Sequence, residues 1–315
     1  MAMPAPEHSG LAGKRVLVSG ARGFLGSHLC PMLVGAGAKV AAISRTVSNA
    51  APPGVQWWRC ELADFAQAED LVREVQPEVI FHLGGRVSAA PDLELVLPTF
   101  HSLLASTVNL LTLAARHECG RVLLVGSLEE PEGATADDLT PASPYAAAKW
   151  AGGAYGRMFH QLYGCSVVTV RPFMTYGPGQ APDKIIPSTI SALLHGEAPR
   201  VSSGRRSLDW VYVDDVIDGI LRAATACGIE GTSIDLGTGI GVPVREVVER
   251  LVHLVDPSMM PEFGARPDRP GGRTRIANLD RAHALLGWRP TTTLEDGLAK
   301  TVAWHRARLP LRRLG

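Results

Sequence analysis

The sequence predicts an α/β protein: a doubly wound parallel sheet followed by a smaller C-terminal lobe. Short aliphatic runs at residues 16–18, 39–44, 79–83, 121–125 and 166–170 alternate with segments of helical period. That alternation marks β-α-β units whose strands are buried on both faces. The first run breaks at Gly20, and Gly23 and Gly26 follow at three-residue spacing just as a helical pattern begins. With 315 residues, the chain is long enough to bury a full core and carry a second lobe.

The first element reads Lys14-Arg-Val-Leu-Val-Ser-Gly20-Ala-Arg22-Gly23-Phe24-Leu25-Gly26. Glycines at these positions allow a tight turn, close backbone approach to a diphosphate, and close helix–strand packing. The helix N-terminus then faces the anion. A Rossmann-type dinucleotide site is the expectation, with Gly20, Arg22, Gly23, Phe24, Leu25 and Gly26 in the turn. Ligands of such sheets lie at the carboxyl ends of the strands. This adds Ser44, Arg45, Leu62, Leu83, Gly84 and Pro172 to the cofactor-binding set.

The second run, Lys39-Val-Ala-Ala-Ile-Ser44-Arg45, ends without a carboxylate. A carboxylate there accepts hydrogen bonds from the adenosine ribose and repels a 2′-phosphate; a hydroxyl and a guanidinium hold that phosphate. Ser44, Arg45 and Arg22 therefore favour NADP(H), with NAD(H) the alternative.

The fourth run leads into Ser127, and a later helical segment carries Tyr145 and Lys149. Residues four apart share one helix face. A cation beside the phenol favours its ionised form and draws it from roughly 10 towards useful acid–base range. Ser127 adds a hydrogen bond to the same substrate oxygen. Together these groups can move a proton on a carbonyl or carbinol oxygen while a hydride moves at its carbon.

The glycine turn, Ser127, Tyr145 and Lys149 are joined, in order, by further motifs. These are Arg171-Pro172-Phe173, Tyr176-Gly-Pro-Gly-Gln180, Trp210-Val-Tyr-Val-Asp214, Leu236-Gly-Thr-Gly239 and Leu286-Gly-Trp288-Arg-Pro290. From about Lys14 to Trp304 the chain resembles the extended short-chain dehydrogenase/reductases. The closest group is the NAD-dependent epimerase/dehydratase family of nucleotide-sugar enzymes. The resemblance implies catalytic roles for Ser127, Tyr145 and Lys149, the lysine also holding the nicotinamide ribose. It implies a dinucleotide-binding domain at 11–172 plus roughly 210–238, with 173–209 and 239–315 forming the substrate lobe. A nucleotide-diphosphate sugar is the implied substrate, met by Arg86, Ser127, Leu128, Glu129, Met174, Arg206 and Arg275. A homodimer built on helices at 99–119 and 144–163 is also implied, through Leu103, Leu104, Val108, Leu110, Leu111, Ala146, Ala147, Trp150 and Ala151.

Within that family, dehydratases commonly carry Thr-Asp-Glu where this chain has Ser127-Leu128-Glu129. The string Gly126-Ser127-Leu128-Glu129-Glu130 resembles the Gly-Ser-x-Glu-Glu pattern of GDP-4-keto-6-deoxymannose reductases. A 4-ketoreductase of a nucleotide-linked 4-keto-6-deoxyhexose is thus the expected activity. Redox-neutral 4-epimerases, 4,6-dehydratases and glucuronate decarboxylases remain alternatives, as does a non-catalytic dinucleotide sensor. The chain departs from the family pattern at Met174 (Asn in the family) and at Leu208, where an Arg is usual. It also lacks the helical Asn expected around Ser102 and Leu103.

Bulk properties set outer limits. A formal net charge of +0 suggests no nucleic-acid or acidic-membrane partner. The five cysteines are scattered without C-x-x-C spacing, which fits thiols in a reducing, cytoplasmic setting better than disulfides or metal ligands. His82, His101 and His160 show no metal-ligand spacing, so no metal is expected. The first eight residues lack an apolar core of signal type, and no apolar span is read as reaching membrane length.

Overall fold

Each of the five aliphatic runs becomes a strand of one sheet, because its β-branched side chains are covered on both faces. The chain opens with β1 (Arg15–Ser19), α1 (Phe24–Gly35), β2 (Lys39–Ser44), β3 (Val55–Arg59), α2 (Phe65–Val75) and β4 (Val79–His82). A long helix follows in three parts: α3 (Val96–Thr99), a π-helical segment (Phe100–Ala105) and α4 (Ser106–Arg116). Next come β5 (Arg121–Val125), α5 (Pro144–Tyr163) and β6 (Val167–Pro172). Beyond them lie β7 (Met174–Tyr176), α6 (Ile185–Leu194), β8 (Arg200–Val201), β9 (Ser207–Tyr212), α7 (Val213–Thr225) and β10 (Ser233–Leu236). The last elements are β11 (Gly241–Pro243), α8 (Val244–Val255), β12 (Glu262–Phe263), α9 (Leu279–Leu286) and α10 (Leu294–Arg306). The computed structural model describes residues 9–45, 53–132, 139–268 and 274–308.

The described chain divides into two compact units. The first contains the residues up to Pro172, Ile217–Asp235 and Asp280–Trp288. Its sheet has seven strands in the order β10-β6-β5-β4-β1-β2-β3, and the pairs from β3 through β6 are parallel. This is the doubly wound sheet the alternation predicted. Two of its strands, β3 and β10, were not among the five runs. β3 reads Val-Gln-Trp-Trp-Arg, is only half covered, and sits at the sheet edge beside β2, so its pattern is interrupted by polar residues. The strand order reverses beside β1, which puts the carboxyl ends of β1 and β4 next to each other. That is the switch point where such sheets take ligands.

The second unit contains Phe173–Val216, Leu236–Leu279 and the described residues from Arg289 on. A three-stranded sheet, β11-β9-β7, is braced by Asp209, which is 1% exposed. Its carboxylate accepts from Thr238 N (2.6 Å), Thr238 Oγ1 (2.7 Å), Gly239 N (3.0 Å) and Ala277 N (3.0 Å). Leu208 beside it is buried, so the position where the family carries Arg contributes to the core here. Residues 210–216 fall in this unit and 280–288 in the first. The sequence borders had placed both segments the other way, because a contact-defined unit follows packing rather than motif order.

Two further expectations need correcting. The helix Leu93–Arg116 has 24 residues and contains an 18-residue stretch with a mean hydropathy of 1.3, so one apolar span does have membrane-crossing length. Its composition arises because one face enters the core through Leu103, Leu110, Leu111 and Leu113 while Val96, Leu97 and Phe100 remain on the surface. For the same reason Leu103, Leu110, Leu111 and Ala146 are buried within the unit and leave no apolar surplus. Trp150, of the expected set, is exposed, and further exposed apolar side chains on these helices include Val96, Leu97, Phe100 and Tyr155.

Candidate active site

The glycine turn joins β1 to α1 and can be built only with glycine at two of its positions. Gly20 has φ +68°, and a Cβ there would lie 2.7 Å from the Gly84 backbone nitrogen. At Gly26 a Cβ would lie 2.3 Å from Gly20 O. Gly23 N donates to Gly20 O at 2.8 Å, and Gly23 then serves as the N-cap of α1 without a side-chain cap. Phe24 and Leu25 form the first turn, half-buried. A side-chain-free turn before the 12-residue helix α1 is a cradle into which a diphosphate can approach backbone N–H groups. A dinucleotide therefore fits here.

Along the rim, Arg22 is exposed and its guanidinium lies 5.3 Å over the Trp57 ring of β3. Ser44 and Arg45 end β2, and Ser44 pairs in register with Arg59. Leu62 is buried, its carbonyl accepting Asn109 Nδ2 at 2.9 Å. Pro172 closes β6. The strand ends are thus brought to one edge of the sheet, with Leu83 N donating to Ser19 O (3.3 Å) and Gly84 N to Ser19 Oγ (3.0 Å).

The acid–base groups are positioned by α5. Ser143 caps the helix by accepting Ala146 N at 3.2 Å, and Pro144 starts it. Tyr145 and Lys149 then stack one turn apart. Gly152, Gly153 and Gly156 are buried on α5, and a Cβ at Gly156 would lie 2.9 Å from Leu124 Cδ1. The helix consequently lies close on β5, and Lys149 Nζ donates to the Val125 carbonyl at 2.6 Å. Two residues on, Ser127 is buried, hydrogen-bonds the Tyr145 phenol and accepts Glu129 N at 3.1 Å through its Oγ.

Burial dominates both titrations. The Tyr145 phenol is pushed up to about 12 by burial, with the Ser127 hydrogen bond working against the shift and the charges of Glu130 and Glu129 adding to it. Lys149 is lowered to about 8 by burial, and Glu130 opposes that shift. The expectation that Lys149 draws the phenol downward is therefore corrected for this state. The ammonium's hydrogen bond goes to a backbone carbonyl, and the charges acting on the phenol are carboxylates. Leu103 and Ala148 share a buried apolar cluster with Tyr145, which accounts for the desolvation.

Behind this centre His82 is 3% exposed and lowered to about 3 by burial, with a smaller contribution from Lys149. Its neutral tautomer can be deduced. Thr107 Oγ1 donates to Leu103 O (2.6 Å), so it accepts from His82 Nε2 (3.0 Å). His82 Nδ1 is then an acceptor for Ser19 Oγ at 2.7 Å. One directed chain runs from Gly84 N through Ser19, His82 and Thr107 to the Leu103 carbonyl of the π-helical segment. It ties the glycine-turn edge to the helix that packs on Tyr145.

Residues 16–237 match the model of the NAD dependent epimerase/dehydratase family. The chain belongs to this family. Across 93% of its length it is 33% identical to the UDP-glucose 4-epimerase of Mycolicibacterium smegmatis, covering 98% of that protein. It is 30% identical to a dTDP-glucose 4,6-dehydratase of an Actinoplanes species, covering 93% of this chain and 98% of the relative. Among solved structures, the Thermotoga maritima UDP-glucose 4-epimerase with UDP-glucose superposes with a TM-score of 0.86 at 25% identity, covering 94% of this chain and 99% of that one. The Thermus thermophilus UDP-glucose 4-epimerase complexed with NAD gives 0.83 at 27%, covering 94% and 100%. The extended short-chain dehydrogenase/reductase identity expected from the motifs, and enzymatic membership, are thereby shown.

In this epimerase/dehydratase chain the remaining predicted site residues separate by unit. Leu128 is buried, Glu129 half-buried, and Arg86 exposed with its backbone N–H on Ser102 Oγ (3.3 Å); all three are in the first unit. Met174, Arg206 and Arg275 are half-buried in the second unit, where the Arg275 guanidinium lies 5.8 Å over Phe173. Sequence reasoning missed the Val125 carbonyl, Ser19, Thr107 and Trp57, and it did not assign Glu130, which is 6% exposed. The Gly126–Glu130 string held the only signal for Glu130; the others depend on neighbours distant in sequence.

Tyr145→Phe removes the phenolic proton and should lower kcat by at least ~10²-fold, while dinucleotide binding followed by fluorescence stays unchanged. Lys149 carries its charge below about 8. A kcat that needs the ammonium should therefore fall as pH rises through that value, and a flat profile would remove Lys149 from the step.

Proposed function

We propose that this family member is an NADPH-dependent 4-ketoreductase acting on a nucleotide-linked 4-keto-6-deoxyhexose. The observation that carries the reading is the buried leucine, Leu128, directly after Ser127, where an acid would be needed to expel a hydroxyl. Glu130, a buried carboxylate three residues after Ser127, accepts the Ser127 backbone N–H at 2.7 Å and is committed to the turn. A nicotinamide dinucleotide, its diphosphate held by the Gly20–Gly26 turn, would supply the hydride for the sugar C4 and leave oxidised. Tyr145 gives its proton to the C4 oxygen, and Ser127 holds that oxygen by hydrogen bond. A phenol pushed up to about 12 stays protonated at neutral pH, which is the state a proton donor must start from. Protonation at oxygen and hydride addition at carbon turn the ketone into a secondary alcohol, and solvent returns the proton to Tyr145.

The choice of NADPH rests on Arg22, Ser44 and Arg45 around the end of β2, where no carboxylate closes the strand. A second reading, redox-neutral 4-epimerisation with NAD, is supported by the UDP-glucose 4-epimerase relatives and by the neighbour complexed with NAD. We also propose a homodimer through Val96, Leu97 and Phe100 of the long helix and Trp150 and Tyr155 of α5, which leave apolar surface on two neighbouring helices.

Incubation with NADPH and a panel of nucleotide-4-keto-6-deoxysugars should consume one NADPH per product, with no solvent deuterium entering C5. Isomerisation without loss of reduced cofactor, or C5 exchange in D₂O, would replace the ketoreductase by the second reading or by a dehydratase. Arg22→Ala combined with Arg45→Ala should weaken NADPH binding at least ~10-fold, in line with loss of charge-assisted hydrogen bonds, and NADH binding far less. Equal losses in the two titrations would assign the arginines elsewhere. Light scattering at micromolar concentration should report the dimer mass; a monomer alone would reject the interface.

A further inference from the structure

Glu130 is the one acidic side chain buried inside the turn that carries Ser127, and the mechanism above gives it no chemical step. It follows Ser127 by three residues and is 6% exposed. Its Oε1 accepts Ser127 N at 2.7 Å, and Glu130 N donates back to Ser127 O at 3.2 Å. Backbone and side chain thus close the turn from both ends.

Two glycines outline the space that the carboxylate fills. A Cβ at Gly126 would lie 2.4 Å from Glu130 Oε1, and a Cβ at Gly153 would lie 3.9 Å from Oε2. Gly126 directly follows Val125, whose carbonyl takes the Lys149 ammonium. Gly153 stands one helical turn after Lys149. Together with Lys149, His82, Thr107 and Thr169, both glycines also line one small internal cavity. The carboxylate therefore lies against two glycines that line the same cavity as the Lys149 side chain. Glycine at 126 is what makes room for it.

We propose that Glu130 is a positioning residue of the acid–base centre: it fixes the Ser127 turn through the backbone N–H and acts as the buried counter-charge that keeps Lys149 an ammonium. The inference rests on the acid–base reading of Ser127, Tyr145 and Lys149 but is independent of which sugar is reduced. An ammonium placed under α5 loses most of its hydration, and one carbonyl hydrogen bond leaves that loss poorly compensated. A fixed carboxylate nearby offsets it. The same charge also opposes ionisation of Tyr145, so Glu130 keeps the phenol as a donor while it keeps the lysine charged.

Other charges face this region. Tyr145, Lys149 and Arg157 come from α5, His82 from β4, and Glu129 and Glu132 from the turn itself. Arg171 of β6 is committed to Asp235 (2.7 Å) and approaches Glu132 (4.0 Å). A shift seen on changing Glu130 must therefore be read at Lys149 itself. The sequence holds only five lysines, Lys14, Lys39, Lys149, Lys184 and Lys300, so direct observation is practical.

The test is a pH titration of the full-length protein labelled with [6-¹³C]lysine, with Lys149 identified by the resonance missing from Lys149→Arg. In the wild type the Lys149 midpoint should fall near 8. Glu130→Gln keeps an acceptor for Ser127 N–H and removes the charge, and its Lys149 midpoint should drop by at least ~0.5 pH unit. Glu130→Asp keeps the charge one methylene farther back and should give an intermediate value. A Lys149 midpoint unchanged in Glu130→Gln overturns the proposal and a drop supports it; where only Glu130→Asp folds, its drop or its unchanged midpoint decides in the same way. Since this readout needs no substrate, it stands even if the sugar panel shows no turnover, an outcome that counts only against the ketoreductase reading. Where turnover is measurable, the fall of kcat with rising pH should begin earlier in Glu130→Gln. A uniform loss of kcat with no displacement of the profile would indicate a merely structural carboxylate.

Discussion

The hydrogen bond from the Lys149 ammonium to the Val125 carbonyl, at 2.6 Å, sets the terms for the rest of the site. A charge under a helix is tolerated only where polar groups are already fixed around it. That requirement explains the glycines of α5, because a helix held off by larger residues would leave the ammonium without its carbonyl. It also explains why the chain turns back immediately after β5: the carbonyl, the Ser127 hydroxyl and the Glu130 carboxylate all come from six consecutive residues, 125–130. Tyr145 is then delivered to Ser127 as a consequence of where Lys149 must sit.

The same constraint reaches across the sheet through His82. Its ring is neutral because burial strips the charged form of hydration and a lysine lies nearby. Neutrality gives it one donor and one acceptor, so it can link Ser19 to Thr107 in one direction only. The π-helical segment offers the Leu103 carbonyl at the far end of that chain. Irregular turns of this kind recur at functional sites because they redirect backbone groups. Here the redirection joins the glycine turn, at the carboxyl edge of β1 and β4, to the helix that packs on Tyr145.

The scaffold does not by itself choose the reaction. UDP-glucose 4-epimerases and dTDP-glucose 4,6-dehydratases stand at similar distances from this chain, and they share a fold with it that can host several hydride-transfer outcomes. On such a scaffold the choice of reaction rests with the groups set around Ser127, Tyr145 and Lys149. In this chain those groups include the buried Leu128 after Ser127, Ser44 and Arg45 at the end of β2, and the buried Leu103 that packs with Tyr145.

The sequence by itself determined the doubly wound sheet, the glycine turn and the Ser127, Tyr145 and Lys149 set, because each is written in local order. Strands recur with helical spacers, the turn needs glycine at fixed offsets, and one helical turn separates the phenol from the amine. The edge strand β3 was not legible, since a half-exposed strand with alternating polar residues looks like loop until its partner is known. The direction of the Tyr145 shift was misjudged for a related reason: spacing shows that Lys149 shares its helix face, but not that the ammonium turns to Val125 and that Leu103 desolvates the phenol. Only the tertiary structure decided that Glu130 is inside rather than on the surface. Burial depends on the room left by Gly126 and Gly153, residues brought together by the packing of α5 on β5 rather than by their order in the chain.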